Sequence, residues 1–148
     1  MIFWDASAIV PLLLVDGASD EMLGVLRGDN DMMVWWGTPV EVLSALARAD
    51  RTRAVPSTDL ELARRTLRGL TDRWNEVQPS DEVRERAGSV LLRHPLRAAD
   101  ALQLAAALTW ARGRPPGHAL VSLDARLAEA ARREGFDPVI APTGDGAR

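Results

Sequence analysis

Four acidic residues in this sequence share one local setting. Each lies beside an apolar run and at or near a predicted helix start: Asp5, Glu41, Asp100 and Asp124. Helices that follow the strands of a parallel sheet begin at one edge of that sheet, so we expect these carboxylates to converge there. Carboxylates in one pocket repel each other, and a hard divalent cation with oxygen ligands relieves the repulsion. The pattern makes metal-dependent phosphodiester chemistry the first hypothesis.

Three of these acids also have a structural interpretation as helix caps. Asp5 and Asp124 are each placed to cap the helix that follows them, and Glu41 completes a capping box with Thr38. A cap stabilises a helix by on the order of 1 kcal/mol, which is reason enough for these residue types at these positions. Taken singly, none of the three demands a catalytic role.

Asp100 is harder to explain as a structural residue. It is predicted to lie inside a helix, next to a stripe of alanines and leucines. A carboxylate beside an apolar stripe is costly to desolvate unless a cation compensates it. The structural alternative is an ion pair with Arg97, three residues earlier.

The composition removes several competing chemistries. The chain has 148 residues, of which 47% are hydrophobic, a net charge of -3, and no Cys, Lys or Tyr. These absences exclude thiolate metal sites, a Walker A loop, Schiff-base chemistry and tyrosine nucleophiles. Three or four carboxylates can instead hold one or two Mg²⁺ or Mn²⁺ ions, which bind a bridging phosphate and lower the pKa of an attacking water.

The elements that must position the acids alternate between short strands and longer helices. Strands are predicted at 2–4, 32–36, 74–77, 119–122 and 138–141, and helices at 7–14, 20–27, 38–51, 56–70, 80–93, 97–112 and 124–134. This alternation is typical of an α/β sandwich with a mainly parallel sheet between layers of helices. We expect one domain over 1–141 and a disordered tail over 142–148.

The apolar start of the chain superficially resembles a signal peptide. It lacks a basic region, contains Asp5, and its apolar run ends at Asp16, too early to span a bilayer. We therefore expect a soluble, cytoplasmic protein without a membrane partner.

Four segments together resemble a known family. IFWDASAIV, TPVEVLSALAR, RAADALQLAAAL and LVSLDARLAEAARREGF occur in the order and spacing of PIN-domain ribonucleases. They are most similar to the VapC-type toxins of bacterial toxin-antitoxin pairs. The resemblance extends from the first strand to the last helix and implies a PIN-like three-layer fold.

The resemblance also implies a site and its cofactor. The four acids would bind Mg²⁺, with Mn²⁺ able to substitute, and Asp124 would bind more weakly or through water. Ser7 and Ser122 match small hydroxyl positions that line the pocket. Ser122 is expected to orient Asp124 or a metal-bound water, while a hydrogen bond at the strand end is its structural alternative.

The function implied is an endoribonuclease toxin held inactive by a cognate antitoxin. Single-stranded RNA would be the substrate, because a pocket at a sheet edge needs an accessible backbone. A homodimer is also implied, with the Ala/Leu-rich helices supplying apolar surface for the dimer and the antitoxin. Two alternatives remain: a non-catalytic PIN-like binding module, and a haloacid-dehalogenase-type phosphoryl-transfer enzyme. The second expects an Asp two residues after the first and a Lys, whereas this chain has Ser7 and no Lys.

The remaining candidates are assigned structural roles. His94 and His118 lie in turns flanked by Pro or Gly and lack metal-ligand spacing, so both are predicted as surface loop residues. The tryptophans at 35, 36 and 110 are predicted as core or dimer contacts in preference to base-stacking platforms. The arginines at 64, 65 and 68 are predicted as a solvated helix face, with a contact to RNA or a partner as the alternative.

Overall fold

A computed structural model describes residues 1–139. They form a five-stranded sheet with the order β3-β2-β1-β4-β5, in which every neighbouring pair is parallel. The strands are β1 (Ile2–Trp4), β2 (Met32–Trp35), β3 (Asn75–Val77), β4 (Ala119–Val121) and β5 (Asp137–Pro138). The predicted α/β fold with a parallel sheet is therefore confirmed.

Seven helices surround the sheet within the described residues. They are α1 (Ala6–Leu13), α2 (Ser19–Gly28), α3 (Thr38–Arg51), α4 (Ser57–Thr71), α5 (Asp81–Arg93), α6 (Ala98–Trp110) and α7 (Ala125–Glu134). Every element through α7 begins and ends within two residues of its predicted position. The end of the last predicted strand, at 140–141, and the predicted tail at 142–148 lie outside the described residues.

The strands separate two layers of helices. Along β1, Phe3 packs into a core with α5, α6 and α7, whereas Trp4 packs into a second core with α1 to α4. Successive strand residues point to opposite faces, so a strand covered on both sides is apolar throughout. This is the three-layer sandwich that the sequence predicts.

The strand order reverses between β1 and β4. The chain moves from β1 outward to β2 and β3, and then crosses to the other side of β1 for β4 and β5. In open parallel sheets, ligands bind in a crevice outside the carboxyl ends of the strands at such a reversal. Asp5 follows β1 and Asp124 follows β4, so both lie at this crevice.

Helix α6 lies deeper in the fold than the sequence analysis assumed. Its residues from Ala101 to Leu108 are buried with the exception of Leu102, which is partly exposed. A helix that is apolar on all sides is buried in a core rather than offered to a partner. The expectation that the Ala/Leu-rich helices supply partner surface is therefore wrong for α6.

The prediction of surface positions for the histidines is also wrong. His94 is buried, and its Nε2 lies 2.8 Å from Oε1 of Glu134 because the turn after α5 folds against the end of α7. His118 is half-buried against Trp110, with the two ring centroids 4.9 Å apart. Both side chains serve packing, which sequence spacing alone does not reveal.

None of the helices within residues 1–139 has the length and apolar character needed to cross a bilayer.

Candidate active site

Asp5 is the most buried acid of the predicted site. It is 3% exposed, and its Oδ2 accepts hydrogen bonds from the hydroxyls of Ser7 at 2.5 Å and Ser122 at 2.8 Å. Asp5 occupies the cap position of α1, but its side chain makes no capping hydrogen bond. The cap interpretation therefore does not account for this residue.

Ser7 and Ser122 link the segment after β1 to the segment after β4 at the crevice. Their hydroxyl oxygens lie 3.3 Å apart. Ser7 Oγ accepts a hydrogen bond from the amide of Leu123, and Ser122 Oγ accepts one from the amide of Asp124. Ser122 thus contacts the carboxylate of Asp5 and the backbone of Asp124 together. This arrangement holds the loop after β4 against the loop after β1.

Glu41 is held from across the sheet edge by Gln103. The Nε2 group of Gln103 lies 3.1 Å from Glu41 Oε2 and 3.1 Å from Thr38 Oγ1, and donates to both. The predicted capping box is wrong, because Gly37 occupies the cap position of α3 and Thr38 is buried against Gln103. Glu41 therefore faces the crevice instead of its own helix start.

Asp100 lies in the first turn of α6 and is partly exposed. Arg97 makes no ion pair with it among the bridges formed within residues 1–139. Burial raises the pKa of Asp100, the charges of Asp124 and Asp5 raise it further, and Arg97 lowers it. The proposed pairing with Arg97 thus does not neutralise this carboxylate.

Asp124 differs from the other three acids. Its Oδ1 accepts a hydrogen bond from the amide of Leu127 at 2.9 Å, which caps α7. The structural interpretation is confirmed for this residue. Its charge still raises the pKa of Asp100, so it also lies near the other carboxylates.

The pKa values of three of the acids are raised, as is typical of functional clusters. Burial raises the pKa of Glu41 to about 7; the amide of Gln103 lowers it, while the charges of Asp5 and Asp100 raise it. Burial likewise raises the pKa of Asp5, although the serine hydroxyls oppose the shift. Gathered carboxylates without balancing cations are costly to the apo fold and mark candidate functional sites.

The donor set suits a hard divalent cation by its chemistry, since carboxylate oxygens are the preferred ligands of Mg²⁺. Within residues 1–139, however, no group of three or more acidic or histidine side chains forms a ready-made metal site. The structure thus brings the four predicted acids to one crevice, without drawing them into a closed coordination shell.

Gln103 is the site residue that sequence reasoning missed. It lies three residues after Asp100 on α6 and is fully buried, and its Oε1 has no hydrogen-bond partner among residues 1–139. Residues three apart on a helix share a face. In the sequence, its role is indicated by one feature: it is a single amide side chain within an otherwise apolar stretch of α6.

The sequence matches the PIN domain family over residues 2–133. The chain therefore belongs to the PIN-domain family, as the resemblance predicted. Membership of this family excludes the haloacid-dehalogenase alternative.

The relatives are VapC proteins. The chain is 30% identical over 135 residues to Ribonuclease VapC45 and to Ribonuclease VapC49, both from Mycobacterium tuberculosis, covering 91% of this chain and 92% of each relative. Among solved structures it is similar to a chain of a toxin-antitoxin complex from Klebsiella pneumoniae, with a TM-score of 0.58 and 18% identity, covering 82% of this chain and 85% of that one. The predicted VapC-type resemblance is confirmed, and the structural match supports the fold.

Proposed function

We propose that this protein is a Mg²⁺-dependent endoribonuclease that acts as the toxin of a toxin-antitoxin pair. The observation that carries the proposal is the convergence of Asp5, Glu41 and Asp100 at the crevice between β1 and β4, where the charge of Asp5 raises the pKa of Glu41 and Asp100 and the charge of Asp100 raises that of Glu41. The names of the two mycobacterial relatives, both ribonucleases, support the activity.

The site residues would have two roles: some would bind the metal and others would hold the metal ligands in position. Asp5, Glu41 and Asp100 would supply most of the metal ligands, and Asp124 would assist while it caps α7. Ser7 and Ser122 fix the buried carboxylate of Asp5 through its Oδ2. Bound Mg²⁺ would supply Lewis-acid stabilisation of the phosphate and activation of a water for in-line attack.

The substrate and partners follow from the same proposal. Single-stranded RNA is the favoured substrate, because its backbone can enter an open crevice at a sheet edge. An antitoxin would cover the crevice in the cytoplasm, and two copies of the chain would form a homodimer. Exposed apolar side chains outside α6 are available for these contacts: Trp36, Val40, Leu43, Leu91 and Leu92.

The direct test compares wild type with Asp5→Asn and Asp100→Asn during induced expression. Growth arrest is expected from the wild type and from the control Asp81→Asn, which changes an exposed acid at the start of α5, but not from Asp5→Asn or Asp100→Asn. Equal arrest by all variants would contradict a catalytic toxin. In a parallel assay, EDTA should abolish RNA cleavage and Mg²⁺ or Mn²⁺ should restore it; equal cleavage in EDTA would contradict the metal dependence.

A non-catalytic PIN-like binding module is the second candidate. It is favoured by the capping role of Asp124 and by the open spacing of the acids within residues 1–139. Titration with Mn²⁺ separates the two. Binding by the wild type that is lost in folded Asp100→Asn supports the enzyme, whereas a wild type without Mn²⁺ binding supports the module.

A further inference from the structure

Two arginines line a groove beside the acids. Arg97 and Arg126 share an open groove of about 430 Å³ with Asp100, Asp124 and Ala125. Both arginines are exposed, and neither joins an ion pair within residues 1–139. Two arginines without an ion pair in that range therefore lie next to the acids, and the charge of Arg97 lowers the pKa of Asp100.

The position of these arginines is not explained by helix stability. The helix macrodipole favours acids in the first turn and cations in the last turn. Helices α2, α4 and α5 follow this rule at both ends. The starts of α6 and α7 carry an acid too, Asp100 and Asp124, but each also carries a cation that opposes the dipole: Arg97 at the cap position of α6 and Arg126 as the second residue of α7. The dipole therefore does not account for these two cations, which line the same groove.

The chemistry of the groove selects a phosphodiester chain. A guanidinium group presents its donors in a planar fork that matches phosphate oxygens. An RNA strand whose scissile bond lies at the acids must place its neighbouring phosphates along the adjoining surface. An acidic protein segment has no corresponding reason to lie beside Asp100 and Asp124.

We infer that Arg97 and Arg126 bind the backbone phosphates of single-stranded RNA that flank the bond held at the acids. The inference rests on the proposed ribonuclease function, which it deepens with a substrate-binding subsite. These contacts fix the position of the strand and carry no base preference. They offset the repulsion between the acidic crevice and an incoming polyanion.

The test measures RNA binding apart from cleavage. Wild type, Arg97→Gln, Arg126→Gln and the double variant are titrated by fluorescence anisotropy with a labelled single-stranded RNA of random sequence, with Ca²⁺ in place of Mg²⁺, at several salt concentrations. Each single change should raise the Kd about threefold to tenfold and reduce the slope of log affinity against log salt by about 0.7, because each single-strand phosphate contact contributes about that much. Unchanged thermal unfolding profiles confirm that the variants are folded.

The matched control is Arg65→Gln, which removes the same charge from an exposed position on α4. Its Kd and salt slope should equal those of the wild type. Wild-type affinity and slope in the double variant would overturn the inference, as would an equal loss in Arg65→Gln. A wild type that binds poly-glutamate in preference to RNA, with that preference lost in the double variant, would also overturn it and indicate a protein contact.

Failure of the proposed function gives a different result. If the wild type binds RNA through Arg97 and Arg126 but does not cleave it with Mg²⁺, the subsite stands and the ribonuclease proposal falls. Cleavage that proceeds equally in wild type and in the double variant at limiting RNA overturns the subsite and leaves the ribonuclease intact.

Discussion

Two glutamates in this protein are sheltered from solvent but are held in opposite ways. Glu134, at the end of α7, accepts a hydrogen bond from Nη2 of Arg93 at 2.6 Å and faces His94 at 2.8 Å. Although burial acts to raise it, the hydrogen bonds from His94 and Arg93 hold the pKa of Glu134 below its ordinary value. Within the described residues, Glu41 receives only the neutral amide of Gln103, and burial and neighbouring acids raise its pKa to about 7.

The difference separates a carboxylate that serves the fold from one that does not. Glu134 ties α5 to α7 and has partners for its charge. The negative charge of Glu41 lowers the stability of the ligand-free protein. A ligand that binds at this position would explain why such a residue is present. Changing each glutamate in turn tests this difference.

The largest effect is expected from Glu41→Gln. This change removes a proposed metal ligand while it keeps shape and polarity, so RNA cleavage should fall by about 100-fold or more. The free energy of unfolding at pH 8 in EDTA should stay equal or rise, because a repelled charge is lost. Cleavage assays and urea unfolding measure the two quantities. A fall in stability with cleavage retained would reverse the assignment of Glu41.

Gln103→Leu should have the next largest effect. Without the amide, Glu41 loses the hydrogen bond that fixes it relative to Asp100, and misplaced catalytic groups are costly to rate. Cleavage should fall about tenfold at limiting Mg²⁺ and recover in part at high Mg²⁺, which a metal titration of initial rates would show. Thr38→Val is the matched control, because it removes the other acceptor of Gln103 and keeps the contact with Glu41. Equal losses in both variants would point to packing instead of positioning.

Glu134→Gln should lower the stability of the protein and leave RNA cleavage unchanged. Removing the charge leaves Arg93 and His94 without their carboxylate and should lower the free energy of unfolding by about 1–2 kcal/mol, a range reduced because Arg93 is half exposed. RNA cleavage at a temperature well below unfolding should be unchanged. Glu129→Gln on the same helix, whose ion pairs are exposed, should give a much smaller change in urea unfolding. Lost cleavage in folded Glu134→Gln would disprove the separation of roles.

The smallest expected effects concern pH: the contributions of Glu41 and Glu134 to stability should change with pH in opposite directions. Because the pKa of Glu41 is raised in the fold, its stabilising contribution is complete below about 4.5 and is lost as the pH rises to about 7. In EDTA the wild type should therefore lose about 1 kcal/mol or somewhat more relative to Glu41→Gln across this window, after allowance for solvent screening.

Glu134 should show the reverse. Its lowered pKa means that its contribution is present above the ordinary glutamate pKa and disappears as the pH falls through the lower folded pKa. The difference between wild type and Glu134→Gln in chemical unfolding should thus shrink on acidification. Parallel pH profiles for the Glu41 and Glu134 pairs would remove the basis of the comparison.

Much of the fold is local in origin, and the sequence predicts it for that reason. Runs such as Ile2–Trp4 and Met32–Trp35 are apolar strands, and Gly135 ends α7 in a left-handed conformation that its type allows. The convergence of the acids also follows from topology, because helices after parallel strands start at one edge.

What the sequence does not predict depends on contacts between distant elements. The bond from Gln103 to Glu41 spans 62 positions, and His94 is buried by Glu134 at a distance of 40 positions. The capping box failed for the same reason: a local pattern at Thr38 lost to a buried amide from another helix. Spacing within a segment carries no information on such partners.

The hydrogen bond from Ser122 to Asp5 joins residues 117 positions apart, and it has a consequence for the timing of synthesis. During translation, chains fold from the amino terminus at the pace of elongation, about 5–20 residues per second. Asp5 and Glu41 leave the ribosome early, but β4 and the loop that follows it are among the last described segments to emerge. A nascent chain therefore carries an unfinished crevice for most of its translation. Under the proposed function, the chain would therefore become able to cleave RNA only after β4 and the loop that follows it have been made.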